Sequence, residues 1–188
     1  MMICTKKELK YYLEEDRKVY HKIPPAGLKS IITAIIFKDY NYEFMKNLRK
    51  WEYYSNSGAG RQYFYAWRCG RIKQKCGIDL VPNVAGPGLH IVHGKVVVNA
   101  HAKIGNNCKI LSDVTIGISG KKDSTCAPII GNNVYIGTGA RILGNITIAH
   151  NVVIGANSVV TKSITEQGIT VAGVPAKKIS NVDSKAYI

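Results

Sequence analysis

From Val92 onward an aliphatic residue recurs every six positions. It falls at Val92, Val98, Ile104, Ile110 and Ile116, and again at Ile130, Ile136, Ile142, Ile148, Ile154 and Val160. Four residues after each comes a second small or aliphatic position: Val96, Ala102, Cys108 and Val114, then Val134, Ala140, Ile146, Val152, Ser158 and Ile164. Gly or Asn often follows the aliphatic residue, as in IGNN, IGTG and IGAN, and supplies turn conformations that branched side chains resist. Helices cannot hold this period. A six-residue repeat sustained this long predicts a hexapeptide β-helix, in which each hexad gives one short strand and a turn and three hexads close one triangular coil. Both repeated positions face inward, so these aliphatic residues, Cys108 and Ser158 are expected in the core. Between Ile116 and Ile130 the chain carries eight residues beyond one hexad. This stretch, around GISGKKDSTCAP, must loop out of the coil, either as a binding wall or as decoration.

Before Gly77 the pattern is helical. Thr5-Lys6-Lys7-Glu8 has capping-box spacing, with Leu9, Tyr12 and Leu13 following at helical intervals, and Pro24 and Pro25 stop that helix. A second helix is predicted from about Asp39, with Tyr40, Phe44, Leu48 and Trp51 as an apolar packing stripe; SNSGAG closes it and a third begins near Arg61. The organisation read from these patterns is an α-helical region over 1–76, a β-helix over 77–179 and a tail over 180–188.

Composition narrows the class. The chain has 188 residues, 46% of them hydrophobic, enough for a folded core. Its longest apolar run near the N-terminus, Ile31 to Phe37 with Thr33 inside it, is far shorter than the roughly 20 residues that span a bilayer. The first residues lack a signal-peptide pattern, so the cytoplasm is the expected compartment. The five cysteines are odd in number and form no CxxC pair, which points to reduced thiols. A net charge of +14 calls for anionic partners: nucleic acid, a lipid surface, acidic glycans or a small polyanion such as coenzyme A. Much of the basic excess lies before Gly77, as in RQYFYAWRCGRIKQK. It reads as an amphipathic helix with a solvated basic face rather than as an RNA-binding segment, and it leaves peripheral membrane association open.

The stretches PNVAGPGLHIVHGKVVVN, KIGNNCKILSDVTIG, IIGNNVYIGTGARILGNITIAHNVVIGANSVV and VAGVPAKKI run from Pro82 to Ile179. They resemble the hexapeptide-repeat acyltransferases, and within them serine acetyltransferase and similar O-acetyltransferases of polysaccharide synthesis. The resemblance implies a mainly β protein, a left-handed parallel β-helix that departs from the usual right-handed crossover, with an N-terminal α-helical region. It also implies a homotrimer with active sites between prisms, acetyl-CoA as co-substrate, and no metal. The histidine of the GLxIxH stretch, His93 here, corresponds to the family's general base. An imidazole, with an unperturbed pKa of about 6.5, suits proton abstraction from an attacking alcohol. Asp79 lies at a similar distance upstream to the family's partnering aspartate, or is an exposed acid at the mouth of the prism. The donor groove would be lined by Gly117, Gly139, Ala140, Ala156 and Asn157, with Lys178 reaching the nucleotide phosphates. No covalent acetyl-enzyme is required.

The remaining histidines, His21, His90, His101 and His150, read as surface or structural residues, and His90, His93 and His101 do not have the spacing of the zinc site in β-helical carbonic anhydrases. Asp113 reads as a turn residue. Several positions depart from serine acetyltransferase. Ala127 stands where that family has a second histidine before a proline, Val92 replaces an aspartate, HGKVVV is one residue shorter, and the helical region is shorter. Val92 and the shortened HGKVVV bear on where the base sits, while Ala127 and the shorter helical region favour an acetyl-CoA-dependent O-acetyltransferase acting on a hydroxyl of a sugar or polysaccharide precursor. The alternatives are serine O-acetylation for cysteine synthesis and a non-enzymatic scaffold.

Overall fold

A computed structural model describes residues 2–20, 39–120 and 126–188. The expected stop at Pro24 and Pro25, His21, the apolar run and residues 121–125 of the inserted loop lie outside the described residues. The first helix, α1 (Lys6–Val19), starts from the expected capping box. Thr5 Oγ1 accepts from the Glu8 amide at 3.2 Å, and Glu8 Oε2 accepts from the Thr5 amide at 2.8 Å. Next, α2 (Tyr40–Asn56) is capped by Asp39, whose side chain accepts from the Tyr42 amide. Finally, α3 (Arg61–Cys76) ends on Gly77 in the left-handed conformation. No helix among the described residues is long and apolar enough to cross a membrane.

Short parallel strands then wind into three sheets. One holds β1 (Ile78–Asp79), β3 (Val96–Val98), β6 (Val114–Gly117), β9 (Arg141–Leu143) and β12 (Val159–Val160). The second holds β4 (Lys103–Ile104), β7 (Ile129–Ile130) and β10 (Thr147–Ile148). The third holds β2 (His90–Ile91), β5 (Lys109–Ile110), β8 (Tyr135–Ile136), β11 (Val153–Ile154) and β13 (Thr170–Gly173), and is closed by the antiparallel β14 (Ala176–Ser180). Each aliphatic position stacks on its counterpart one coil away: Val98 on Ile116 on Ile142 on Val160, and Ile110 on Ile136 on Ile154. The second inward set from Val96 to Ser158 is buried as well, whereas Ile164 is only half-buried.

The first hexad differs from its expected register. Ile91, not Val92, pairs with Ile110 and is fully buried, while Val92 is half-buried. From Ile91 to Val98 is seven residues rather than six, and the extra one falls in the turn that contains His93. The coil corners explain the Gly and Asn residues. Lys95, Asp113, Gly139 and Asn157 all have positive φ at one corner, as do Asn107, Asn133 and Asn151 at another. The second group and the residues just before it tie successive coils together through side chains: Asn133 Nδ2 donates to Asn151 Oδ1 at 2.9 Å, the Asn106 amide to Asn132 Oδ1, and the Asn132 amide to His150 Nδ1 at 2.8 Å.

The helices dock through a buried charge. Arg49 of α2 is 0% exposed and Asp16 of α1 is 1% exposed. The guanidinium reaches Asp16 Oδ2 at 2.8 Å and Glu52 Oε2 at 3.5 Å, donates to the carbonyls of Ala85 and Gly86 at 2.8 and 2.6 Å, and lies over the Tyr12 ring. Asp16 also accepts from the Gly88 amide. The buried residues of α2 are therefore Phe44, Met45, Asn47, Leu48, Arg49 and Glu52, rotated from the expected stripe, and Tyr40 and Trp51 are only half-buried at its side. Burial pushes the Glu52 carboxyl up against the opposing pull of Arg49, and its Oε1 has no hydrogen-bond partner among the described residues. Arg49→Met is expected to leave two buried carboxyl groups without a counter-charge and to cost about 3–5 kcal/mol, read from urea unfolding.

Candidate active site at a prism corner

The corner that joins the third sheet to the first carries a vertical series of turns. His93-Gly94-Lys95 follows β2, Ser112-Asp113 follows β5, Thr138-Gly139 follows β8, and Ala156-Asn157 follows β11. The Gly139 amide donates to the Ser112 carbonyl and the Asn157 amide to the Thr138 carbonyl, so these turns stack directly. An open cavity of about 720 Å³ lies against the upper part of the corner. His93, Ser112 and Asp113 line it from the prism; Asp39, Tyr40, Asn41 and Lys75 line it from the helices.

His93 is exposed and its ring makes no hydrogen bond among the described residues. Its backbone, by contrast, is firmly held. Asn41 Nδ2 donates to the carbonyls of Ile91 and Val92 at 3.3 and 3.1 Å. The Tyr20 hydroxyl accepts from the Ile91 amide at 3.0 Å and donates to its carbonyl at 3.4 Å. Burial keeps that phenol well above its usual pKa range, so it stays neutral and serves as donor and acceptor together. Gly94 completes the clamp: a Cβ there would fall 1.6 Å from the Cys76 carbonyl oxygen. The end of α3 thus presses on the turn, and only glycine fits beside the histidine. Composition hinted at neither Asn41 nor Tyr20, because their partners are backbone groups some 50 and 71 residues away.

The expected site residues separate. Gly139, Ala156 and Asn157 share the His93 corner, and the latter two are exposed. Ala140, next to Gly139, is 0% exposed and belongs to the core rather than to the corner surface, contrary to expectation. Gly117 ends β6, where the inserted loop leaves the prism, and Lys178 lies on β14 in a 2.5 Å ion pair with Glu166. Asp79, on β1, is ion-paired with Lys73 at 2.7 Å, both about half-exposed, and does not line the cavity. The carboxylates that do are Asp39, engaged at its helix cap, and Asp113, which Arg141 holds at 3.1 Å. His90 packs against the Tyr20 ring, His101 sits on an exposed turn, and His150 accepts from the Asn132 amide in the ladder position held elsewhere by asparagine. Burial pushes the Cys69 and Cys108 thiols up to about 12, which suppresses thiolate nucleophiles there.

With this geometry, similarity to known proteins is informative. The family described as "Bacterial transferase hexapeptide (six repeats)" matches residues 127–162. A serine acetyltransferase of Buchnera aphidicola is 33% identical over 179 residues, 94% of this chain and 64% of that protein; the chain thus spans less than two thirds of this curated relative. The crystal structure of Neisseria gonorrhoeae serine acetyltransferase is 32% identical with a TM-score of 0.74, over 94% of this chain and 68% of that one. Serine acetyltransferase from Brucella abortus in complex with coenzyme A is 29% identical with a TM-score of 0.75, over 94% and 70%. These relatives overturn the expectation of a sugar or polysaccharide-precursor acceptor. That reading rested on Ala127 and on a short helical region. The Ala127 side chain is 6% exposed and does not line the His93 cavity, and the similarity to serine acetyltransferases runs through the helices as well as the prism. The prism is a left-handed parallel β-helix, and the chain belongs to the hexapeptide-repeat transferases, with serine acetyltransferases among its relatives.

Proposed function

We propose that the chain is an acetyl-CoA-dependent O-acetyltransferase that acts on the hydroxyl of serine, with His93 as general base. The observation that carries this reading is the placement of an exposed imidazole, free of hydrogen bonds, on a rigidly clamped turn beside an open cavity. The neutral ring accepts the hydroxyl proton as the oxygen attacks the thioester carbonyl. The tetrahedral intermediate then collapses with cleavage of the carbon–sulfur bond, and the imidazolium returns its proton to the departing thiolate. Atoms and charge balance without an acyl-enzyme.

Gly139, Ala156 and Asn157 are the proposed seat of the pantetheine arm, with Gly117 and Lys178 toward its outer parts. Lys75 and Lys95 at the cavity and the overall positive charge favour a donor that bears several phosphates. Asp79 is proposed to orient His93 once water or substrate replaces its exposed partner Lys73, an exchange of low cost. Val97 and Ile129, 47% and 52% exposed on prism faces, support the proposal of a trimer that covers them and completes the sites. Reduced thiols and this donor fit the cytoplasm.

Thiol release from acetyl-CoA is expected to depend on added serine, and its absence would overturn the assignment. His93→Ala should lower kcat about 10²–10⁴-fold with acetyl-CoA affinity unchanged by calorimetry. Asn41→Leu leaves the base in place but frees its turn; kcat should fall roughly tenfold or more, with little change in the KM for either substrate.

A further inference from the structure

The basic helix α3 has an outer face that neither the prism nor the proposed chemistry uses. Its inner side packs Cys69, Ile72 and Cys76 into the core, and Tyr65 stacks on Tyr54 of α2. Opposite, Tyr63 and Trp67 lie one helical turn apart with 75% and 61% of their surface exposed, and Phe64 beside them is 51% exposed. Cations surround these rings. The helix carries Arg61, Arg68, Arg71, Lys73 and Lys75 and no acidic residue. Arg68 reaches over the Phe64 ring and also pairs with Glu43, Lys73 pairs with Asp79, and Lys75 turns to Tyr40 at the His93 cavity, whereas Arg71 and Arg61 have no carboxylate partner among the described residues. Lys50 of α2 adds another such cation, over the Tyr65 ring.

Three large aromatic side chains in water are unfavourable unless something covers them, and uncompensated cations beside them call for an acidic partner. We infer that this face docks on an anionic lipid surface. Tyr and Trp rings sit at the headgroup level of a bilayer, while arginine and lysine flanking them meet acidic headgroups. The stripe lies on the convex outer side of a helix, which suits a plane. Single-stranded RNA binds in a charged groove that tracks its backbone, whereas these rings stand on the outside of one helix. The attachment is peripheral and independent of which hydroxyl the corner acetylates.

The test uses the full chain with vesicles of phosphatidylcholine alone, or mixed in equal parts with phosphatidylglycerol. The protein should sediment with the mixed vesicles and not with the neutral ones, with a blue shift of Trp67 emission and release at about 0.5 M salt. Tyr63→Ser combined with Trp67→Ser should lower partitioning at least about tenfold while the circular dichroism spectrum stays unchanged, and Arg71→Glu should weaken it in the same direction. Failure of the wild type to sediment, or equal sedimentation of the double variant, overturns the inference. So does Trp67-dependent binding of polyuridylate without vesicle binding, or a change in sedimentation coefficient of the double variant that shows the face to be covered by a second copy.

Discussion

Arg49 keeps its full charge with no access to water, and a buried guanidinium is tolerated only where its donors meet acceptors. Here those acceptors come from three places: Asp16 on α1, Glu52 on the same helix, and the carbonyls of Ala85 and Gly86 at the head of the prism. The arrangement fixes α1 and α2 against the first coil in one orientation. An apolar contact of the same area is non-directional and allows sliding; a fork of charged hydrogen bonds does not. A second, neutral tie lies nearby, where Asn56 and Asn83 exchange amide hydrogen bonds at 2.9 Å. Everything about the candidate site depends on this docking, because Asn41, on the arm of α2 that leads to Arg49, grips the turn of the candidate base.

That dependence gives the seven-residue first side a physical sense. A regular hexad would carry the chain around the corner without excess, as it does at Ser112-Asp113 below. The additional residue pushes the His93 turn outward, where it meets the end of α3 through Gly94 and α2 through Asn41. A protruding turn with no outside support is mobile. Held from two sides, it presents an imbedded backbone and an accessible ring, which is the combination that proton transfer needs.

The prism was legible in the chain because its period is enforced at every coil. A residue facing inward at position six must pack on its neighbours eighteen residues away, so the pattern is redundant and errors in one hexad do not obscure it. The misplacement of the first hexad on Val92 shows the limit: a one-residue insertion at the start of the repeat has no earlier hexad to correct it. The helices were legible from their caps at Thr5 and Asp39, which are local. The long-range polar ties were not. Arg49 looks like an ordinary helical cation, and Asn41 and Tyr20 act on backbone groups that no side-chain pattern marks. At the site, His93 and the small corner residues stood out as a motif and a repeat, while the ion pair that occupies Asp79 depends on where α3 ends relative to β1 and was invisible. The acceptor was not legible, because Ala127 and the length of the helical region carry less information than the similarity that runs through helices and prism together.

The stacked corner has one more property. Each coil advances about 4.8 Å along the prism axis, so the three steps from the His93 turn to Asn157 give about 14 Å of straight edge. Its length is set by the number of coils and not by any side chain. The corner therefore behaves as a ruler with the candidate base at its zero mark. A whole coil inserted below Asn157 would extend it, and one removed from above that point would shorten it, while the clamp of α2 on the histidine turn stayed as it is. The length of this edge can thus change by whole coils without disturbing the histidine turn at its end.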